Sequence, residues 1–335
     1  MQACCFSLNY GILCENVTTA FLNMTTAIYC HTDCLAHEMG SWHPESPARL
    51  QAIEDQLIAS RIDSCIDHRD APLADLSDIA RVHHADAIAR VRDNIPAAGE
   101  YYPIDGDTLL NAHSWQAALR AAGAAVAATD AVIAGELDNA FCAVRPPGHH
   151  ARPSEPMGFC LFNNVAIAAR HALEVHGLER VAIVDFDVHH GNGTEEAFLY
   201  EPRVMMVSFF QHPFYPYSGV GGESQFNPNM VNVPVAAYSG GDKIRQLVTE
   251  LWLPALRGFR PQMIFISAGF DAHREDDMGQ MGLVEADYAW ITRQIMAVAK
   301  EFSQGRIVSC LEGGYSLSAL GRSVVAHLKA LADLE

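Results

Sequence analysis

The chain has 335 residues, of which 50% are hydrophobic, and its formal net charge is −18 at pH 7. This acidic balance argues against a nucleic-acid-binding surface and favours neutral or cationic substrates and partners. No apolar run reaches the length that predicts a membrane span, and the nine scattered cysteines do not form a disulfide framework, so we expect a cytoplasmic protein with reduced thiols.

Residues 1–26 differ from the rest of the chain. They hold cysteines in an irregular stretch and contain no Lys or Arg, so they lack the positive region of a secretory signal. We predict a poorly ordered N-terminal extension over residues 1–26, with Met24 as a candidate natural start, and a single domain over residues 27–335.

From residue 26 onward, strand-like apolar runs alternate with helix-like runs. Strands are predicted at residues 26–30, 141–144, 181–185, 204–209, 263–267 and 307–311. Helices are predicted at residues 47–60, 114–133, 164–175, 242–256, 285–302 and 319–334. This alternation predicts an α/β fold of one domain, with a central, mostly parallel β-sheet flanked by helices.

Polar residues follow four of these strands directly. In chain order they are His149 and His150, then Asp185, Asp187 and His189, then Asp271, and finally Gly313 and Tyr315. In open α/β sheets the active site lies beyond the carboxyl ends of the strands. We therefore expect an enzyme rather than a scaffold protein.

The Asp185-x-Asp187-x-His189 pattern indicates a metal site. Strand alternation predicts that these side chains point to one side, and such groups are costly to bury unless a cation neutralises them. Asp187, His189 and Asp271 together form an Asp₂His set. Such a set leaves one position at the metal open for water, as in catalytic zinc sites. Fe²⁺ or Co²⁺ also suits these ligands. A solvated turn is the alternative.

Two further features indicate acid–base chemistry. His149 and His150 follow a Pro-Pro-Gly turn. An imidazole there could take a proton from metal-bound water and return it to a leaving amine. The alternative is a pair of histidines in a surface loop.

Tyr315 follows two glycines that allow close approach of the backbone. Its phenol could donate a hydrogen bond to a developing oxyanion, or it could be an aromatic group of the core.

Five motifs together resemble the histone deacetylase family, in the order that the family carries them. They are Arg145-Pro-Pro-Gly-His-His-Ala151, Gly158-Phe-Cys-Leu-Phe-Asn-Asn-Val-Ala166, Asp185-x-Asp-x-His-His-Gly-Asn-Gly-Thr194, Gly269-Phe-Asp271 and Leu311-Glu-Gly-Gly-Tyr315. The chain is most similar to bacterial and class II-type members, which include acetylpolyamine amidohydrolases and acetoin-utilisation-type proteins. The resemblance implies the arginase/deacetylase α/β fold for a catalytic domain over residues 27–335.

The resemblance also implies the cofactors. Asp187, His189 and Asp271 match the family's zinc ligands. A structural potassium site near the zinc is implied at Asp185, Asp187, His189, Ser208 and Phe209.

Catalytic roles follow from the same resemblance. His150 matches the general base and acid, and His149 matches its electrostatic neighbour, which the family pairs with the carboxylate at Asp185. Tyr315 matches the catalytic tyrosine. Asn192 replaces an Asp of class I relatives, so the pKa of His150 is predicted to be lower than it would be beside a carboxylate.

The family's substrate tunnel is implied at five positions. Phe159 and Tyr215 match its aromatic walls, although the second wall is usually Phe. Gly158 would offer its carbonyl to the substrate amide, and Gly313 lies in the substrate-binding loop. Met278 matches a rim position that is acidic in polyamine-selective relatives.

The predicted function is zinc-dependent removal of acetyl or short acyl groups from the ε-amine of acyl-lysine. The substrate would be an acylated lysine peptide, a protein or an acylated small amine, with neither nucleic acid nor membrane as a partner, and the oligomeric state is left open. The alternatives are an acetylpolyamine deacetylase and a non-catalytic acyl-amine-binding protein of the same fold. The apolar Met278 favours acyl-lysine, although Glu275, Asp276 and Asp277 lie close to it in the sequence.

Overall fold

The structure of the protein is a computed structural model that describes residues 25–334. Its strands are β1 (Thr26–Cys30), β2 (Asp67–Asp70), β3 (Tyr102–Pro103), β4 (Leu109–Leu110), β5 (Asn139–Cys142), β6 (Val181–Asp185), β7 (Val204–Gln211), β8 (Met230–Val235), β9 (Met263–Ala268) and β10 (Ile307–Leu311). Its α-helices are α1 (Asp33–Ala36), α2 (Ala48–Ala59), α3 (Leu76–Ile79), α4 (Ala85–Arg92), α5 (Ser114–Ala134), α6 (Asn164–Glu174), α7 (Asn192–Phe198), α8 (Gly241–Leu247), α9 (Leu253–Phe259), α10 (Glu285–Phe302) and α11 (Leu317–Leu331). Short 3₁₀ helices lie at Asp63–Cys65 and Ser224–Phe226. The extension predicted for residues 1–26 lies outside the described residues, except that Thr26 begins β1.

Eight strands form one sheet in the order β2-β1-β5-β10-β9-β6-β7-β8. Every neighbouring pair in this sheet is parallel, whereas β3 and β4 form a separate antiparallel pair. The inner strands β5, β10, β9, β6 and β7 are buried along their whole length, as expected for a parallel sheet covered by helices. The predicted α/β fold is confirmed.

Apolar runs predict the centre of the sheet well and its edges poorly. β1, β6, β10 and α10 have the predicted bounds. β5 begins two residues earlier than predicted because it opens on the polar Asn139, whose side-chain amide donates to the carbonyl of Leu331 at 2.9 Å. The sequence does not predict β2 and β8, since edge strands pair on one side only and need not be apolar: β2 reads Asp-His-Arg-Asp, and β8 contains Pro234.

The single helix predicted over residues 242–256 is divided. α8 is followed by a π-helical turn at Val248–Trp252 and then by α9. Pro254 lies in the first turn of α9 and has no backbone N–H to donate to the preceding turn, so the regular hydrogen-bond ladder is interrupted there.

α5 contradicts the expectation that no segment is long and apolar enough to cross a membrane. By length and composition its 21 residues meet that condition, as no other helix within residues 25–334 does. However, 72% of its most apolar window is buried inside the protein, and a Cβ added to Gly123 would lie 2.1 Å from the carbonyl oxygen of Pro72. α5 is therefore packed as a core helix.

A buried ionic network ties the segment before α2 to the sheet. Arg145, after β5, donates to both carboxylate oxygens of Glu45, one of them at 2.6 Å, and to the carbonyls of Cys34 (2.8 Å) and His37 (3.0 Å). Arg49, in the first turn of α2, donates to the same carboxylate at 3.0 Å. Burial alone would raise the pKa of Glu45, but the two guanidinium groups lower it to about 2. Glu45 is therefore ionised in neutral solution.

Arg145→Met should lower the free energy of unfolding by about 3–5 kcal/mol, because the buried Glu45 carboxylate loses its main cation. Urea unfolding at neutral pH measures this loss. The double variant Glu45→Gln/Arg145→Met should recover part of the stability, since no buried carboxylate is left without its main cation; recovery is incomplete because Arg49 loses its carboxylate partner. Arg92→Met, which removes an exposed arginine paired with Asp93, is the control and should leave the urea midpoint unchanged. A loss no larger than that of the control would mean that the network does not stabilise the fold.

Candidate active site

The carboxyl ends of four adjacent strands meet at one edge of the sheet. β5, β10, β9 and β6 are consecutive neighbours. The polar residues that follow them are His149 and His150 after β5, Gly313 and Tyr315 after β10, Asp271 after β9, and Asp187 and His189 after β6. The fold therefore delivers the residues singled out in the sequence to one region.

Asp187, His189 and Asp271 form a buried cluster in which one ligand-type atom of each residue lies within 4.8 Å of the others. Nδ1 of His189 is 3.0 Å from Oδ1 of Asp187 and 3.2 Å from Oδ2 of Asp271. A tetrahedral zinc ion with bonds near 2.0 Å places its ligand atoms about 3.3 Å apart. Oδ2 of Asp271 is buried and accepts no hydrogen bond, which is costly for a carboxylate oxygen unless a cation binds it. The cluster therefore fits a divalent metal ion.

The electrostatics of the cluster agree with that fit. Burial and the neighbouring Asp187 carboxylate raise the pKa of Asp271 to about 7. This is the behaviour of carboxylates crowded into one site, where a cation relieves the repulsion between them.

Turns, and not strand alternation, bring Asp187 and His189 into the site. β6 ends at Asp185, so the alternation from which the sequence predicts a common face stops there. The amide of Asp187 donates to Oδ1 of Asp185 at 3.1 Å, and the amide of His189 donates to Oδ1 of Asp187 at 2.9 Å. Asp favours such turns because its side-chain oxygen accepts from the amide two residues further on. As a result, Asp185 contacts His149 while the other two residues join Asp271.

Glycines allow the backbone to lie against the two carboxylates. The amide of Gly313 donates to Oδ2 of Asp187 at 2.8 Å, and a Cβ at Gly313 would lie 2.1 Å from Oδ2 of Asp271. A Cβ at Gly269 would lie 2.0 Å from Oδ2 of Asp187. The structure thus places Gly313 against the carboxylates of Asp187 and Asp271, and its predicted contact with substrate stays a prediction.

His149 and His150 are buried side by side, with ring centroids 4.1 Å apart. Nδ1 of His149 is 2.9 Å from Oδ2 of Asp185, and Nδ1 of His150 is 2.7 Å from Oδ1 of Asn192. Burial alone would lower the pKa of His149, but the carboxylates of Asp185 and Asp187 raise it well above its ordinary value. Burial and the neighbouring His149 lower the pKa of His150 well below its ordinary value. The pair therefore combines a charged imidazole with a neutral one.

Tyr315 is held through its backbone and its ring. Oδ2 of Asp276 accepts from the amides of Tyr315 (2.6 Å) and Ser316 (2.8 Å). Arg49 donates to the carbonyl of Gly314 at 2.7 Å, and its guanidinium lies over the Tyr315 ring, 4.9 Å from the centroid. Burial raises the pKa of Tyr315 well above its ordinary value, so the hydroxyl keeps its proton and can donate it.

Glu312 accepts hydrogen bonds from the backbone of the turn that carries the histidine pair. Its Oε2 accepts from the amides of Gly148 (2.6 Å) and His149 (3.0 Å), and its Oε1 accepts from the hydroxyl of Ser267 at 3.1 Å. Sequence reasoning gave no role to Glu312, Arg49 or Asp276. For Glu312 the signal was present, since it directly follows β10 as the other site residues follow their strands.

Two aromatic side chains border the cluster. The Tyr215 ring lies 5.3 Å from the ring of His150 and 6.1 Å from that of His189. Gly158 and Phe159 both have left-handed backbones, with φ of +58° and +66°. A Cβ at Gly158 would lie 2.7 Å from Cδ2 of His150 and 2.9 Å from the hydroxyl of Tyr215. Only glycine fits at 158, where the backbone passes directly over the catalytic histidine candidate.

The Phe159 ring completes this border. Its centroid is 6.0 Å from that of Tyr315 and 4.6 Å from that of His43. Met278 is half-buried in the loop after Asp271, and its amide donates to Oδ1 of Asp276 at 3.0 Å. The contacts of Phe159 and Met278 with substrate stay predictions.

Three of the five residues predicted to bind potassium lie on the neighbouring strands β6 and β7. Asp185 pairs with Ser208 in the parallel ladder between β6 and β7, and Phe209 is the next residue of β7. The hydroxyl of Ser208 donates to Oδ1 of Asn232 at 2.9 Å, which leaves its lone pairs free to meet a cation. The oxygen-rich donor set fits a hard cation.

Comparisons with known proteins identify the family of this chain. The family model "Histone deacetylase domain" matches residues 43–331. The chain is 38% identical over 278 residues to a histone deacetylase-like amidohydrolase of Pseudomonas aeruginosa, covering 82% of this chain and 73% of that protein. It is 37% identical over 322 residues to Histone deacetylase 14, chloroplastic, of Arabidopsis thaliana, covering 91% of this chain and 76% of that protein. The solved structure of the HDA15 HD domain matches with a TM-score of 0.87 at 33% identity, covering 92% of this chain and 90% of that chain. The chain therefore belongs to the histone deacetylase family and is a hydrolytic deacetylase.

Proposed function

We propose that the protein is a zinc-dependent amidohydrolase that removes acetyl or other short acyl groups from the ε-amine of acyl-lysine. The observation that carries this proposal is the buried Asp187–His189–Asp271 cluster, in which Oδ2 of Asp271 accepts no hydrogen bond and the His189 ring lies 5.7 Å from that of His150. Zinc held by these residues would polarise an acyl carbonyl and lower the pKa of a water molecule to about 7. Because Fe²⁺ and Co²⁺ suit the same ligands, the metal itself must be measured.

His150 is the proposed proton carrier. Its Nδ1–H donates to the side-chain oxygen Oδ1 of Asn192, so the lone pair is on Nε2 and can take a proton from water. The lowered pKa of His150 keeps the ring neutral before the reaction and makes the imidazolium ready to protonate a leaving amine. His149, charged through its contact with Asp185, supplies positive charge beside the reacting carbonyl.

Tyr315 is the proposed hydrogen-bond donor to the acyl oxygen. Its hydroxyl is protonated, and contacts with Asp276 and Arg49 fix its position before substrate arrives. Phe159 and Tyr215 would contact the uncharged stem of acyl-lysine, and the carbonyl of Gly158 would accept the substrate's amide proton.

A structural potassium ion is proposed beside β6 and β7. Asp185 and Ser208 would supply side-chain oxygens, and the backbone carbonyls of Asp187, His189 and Phe209 would complete the coordination. A cation held by the Asp185 carboxylate would favour the ionised form of that side chain.

The loop after Asp271 favours acyl-lysine over an acylated polyamine. A polyamine needs an anionic group near the rim for its second ammonium. Asp276 is buried with its carboxylate on backbone amides, and Glu275 pairs with Arg322 at 2.9 Å. Asp276 and Glu275 are therefore not free at the rim, so beside the apolar Met278 the exposed Asp277 is the one carboxylate of this loop left to meet a second ammonium.

An acetylpolyamine deacetylase is the second candidate because an acidic cleft lies on the other side of Tyr215. The cleft has a volume of about 370 Å³ and is lined by Asp105, Asp107 and Glu155, with Arg90 as the one cation among its lining residues. This negative charge would suit a second ammonium group, or equally a basic residue flanking acyl-lysine in a peptide.

Rates on matched substrates separate the candidates. We expect a higher kcat/KM on acetyl-lysine peptides than on N-acetylputrescine or N-acetylspermidine. The reverse order would favour the polyamine enzyme, and an absence of turnover on every substrate would favour a non-catalytic binding protein.

Removal of the metal should abolish turnover, because the three ligand residues alone cannot activate water. Protein treated with a chelator and shown to be metal-free by elemental analysis should be inactive, and about one equivalent of Zn²⁺ should restore the activity. Full activity in the metal-free sample would refute the metal-dependent mechanism.

Asn192→Asp should move the acidic limb of the kcat/KM profile to higher pH. A carboxylate in place of the amide stabilises the imidazolium and raises the pKa of His150 by about 1–3 units. His150 acts as a base only when neutral, so activity is lost as the pH falls through its pKa, and a raised pKa places that loss at higher pH. Gln51→Glu, which makes the same change from an amide to a carboxylate at an exposed position of α2, is the control. An unchanged acidic limb would show that protonation of His150 does not set it.

A further inference from the structure

A second group of metal-binding side chains lies at the far end of α6. Nε2 of His171 and Nε2 of His176 are 2.7 Å and 2.6 Å from the same oxygen, Oδ1 of Asp130. The two imidazole centroids are 5.2 Å apart. His171 lies in the last turn of α6, whose first residue, Asn164, packs against Gly148 beside the catalytic histidines. Eleven helical residues span about 16 Å, so this cluster is separate from the catalytic site.

Hydrogen bonds satisfy His171 only when its ring carries an N–H on both nitrogens. His171 lies between two carboxylates, because its Nδ1 is 3.2 Å from Oδ1 of Asp78 while its Nε2 faces Asp130. A neutral imidazole has one N–H, so it can donate to one carboxylate and must present a lone pair to the other. When Nδ1–H donates to Asp78, the Nε2 lone pair faces a negatively charged oxygen. A cation between the two atoms turns this repulsion into two favourable bonds.

We propose that Asp130, His171 and His176 bind a divalent transition-metal ion, for which Zn²⁺ is the natural probe. Two imidazole nitrogens and one carboxylate oxygen suit Zn²⁺, Cu²⁺, Ni²⁺ or Co²⁺ rather than Mg²⁺ or Ca²⁺. The Asp130 and His176 side chains are 51% and 24% exposed, so water can reach the ion and fill the remaining positions. A carboxylate behind a metal-bound histidine fixes its tautomer, and Asp78, itself paired with Arg81 at 3.4 Å, is placed to do this for His171.

The geometry needs little adjustment to accept the ion. Tetrahedral zinc requires nitrogen–oxygen separations of about 3.3 Å, so the present contacts must open by about 0.6 Å. His176 lies beyond the end of α6 and is followed by Gly177, whose φ is +67°. Asp130 is half-exposed on α5, so its side chain can move without disturbing the core.

An ion bound here would join α5, α6 and the segment that leads to β6. Since it would bind the folded protein and not the unfolded chain, it would stabilise the fold by mass action. It would take no part in deacetylation, so the inference does not depend on the proposed function.

Zinc stoichiometry tests the proposal. Equilibrium dialysis of the full chain at a chelator-buffered free Zn²⁺ concentration should give about two equivalents for the wild type. His176→Ala and Asp130→Asn should each retain about one equivalent and keep wild-type deacetylase activity. His68→Ala, which removes a surface histidine 3.0 Å from an Asp63 oxygen, is the matched control and should retain two. Asp271→Asn should lose the zinc ion of the catalytic site and keep the zinc ion bound by Asp130, His171 and His176. The occupancy of the two sites is therefore measured separately.

Affinity and stability give a second readout. Asp78→Asn should weaken binding of the peripheral ion by about 10–100-fold without changing the stoichiometry at saturation. The second equivalent should raise the Tm of the wild type but not that of His176→Ala. Equal zinc uptake and an equal Tm response in the wild type and in His176→Ala would overturn the proposal and leave a hydrogen-bonded cluster only.

Discussion

His150→Ala should lower kcat/KM on an acetyl-lysine peptide by about 10²–10⁴-fold while the metal content stays at the wild-type level. The loss follows from the position of the ring, because Nδ1 is held by Asn192 and Nε2 is left as the atom that can exchange a proton. The neighbouring His149 cannot replace it, since its own Nδ1 is bound to Asp185 and its pKa is raised well above the ordinary value. A charged imidazole has no lone pair with which to take a proton.

Two measurements make the His150 result interpretable. Elemental analysis of the variant should show unchanged metal, because the imidazole of His150 is not among the three clustered ligands. His84→Ala, at an exposed position, is the control for replacement of a histidine and should keep full activity. If His150→Ala turned over at the wild-type rate with its metal intact, the base would have been assigned to the wrong residue.

Tyr315→Phe should lower kcat by about 10²–10³-fold, which corresponds to about 3–4 kcal/mol for the loss of one oriented donor to a developing oxyanion. The phenylalanine ring can keep the contact with Arg49 and the packing near Phe159, so substrate binding and KM should change little. Metal content should also be unchanged. A variant with near-wild-type kcat would falsify the role of the Tyr315 hydroxyl.

Tyr288→Phe is the matched control for loss of a phenol. The Tyr288 hydroxyl is buried and has no hydrogen-bond partner within residues 25–334. Its removal leaves no group unsatisfied, so we expect unchanged activity and unchanged or slightly higher stability. Comparison of the two variants separates the chemistry of the Tyr315 hydroxyl from the general effect of removing a buried oxygen.

The sequence predicts the centre of the fold because a parallel sheet buries both faces of its inner strands. β6 and β10 are continuous apolar runs that end abruptly in polar residues, and both lie at their predicted bounds. The edge strand β2 consists of four polar residues, so it has no alternation of apolar and polar residues from which a strand could be predicted. Pro254 accounts for the break between α8 and α9. The apolar pattern is helical on both sides of it, however, and therefore predicts one continuous helix.

At the site, local motifs predicted which residues gather but not how they are held. The pattern of Asp185, Asp187 and His189 was read as strand alternation, whereas consecutive side-chain-to-amide turns position them. The contact between Asp276 and the amide of Tyr315 joins residues 39 positions apart, and such long-range support has no local sequence signature. Asp276 was considered only as a neighbour of the tunnel rim, yet it is buried beneath the tyrosine loop.

Arg49 connects the stability of the protein to its turnover. Its guanidinium meets the Glu45 carboxylate, the carbonyls of Glu312 and Gly314, and the face of the Tyr315 ring. A truncated chain that started after Arg49 would still contain the three proposed metal ligands and the proposed proton carrier, but it would lack the guanidinium that contacts the Tyr315 ring and the carbonyl of Gly314. A fragment able to sustain rapid deacylation must therefore include Arg49 as well as β1, which lies between β2 and β5 in the sheet.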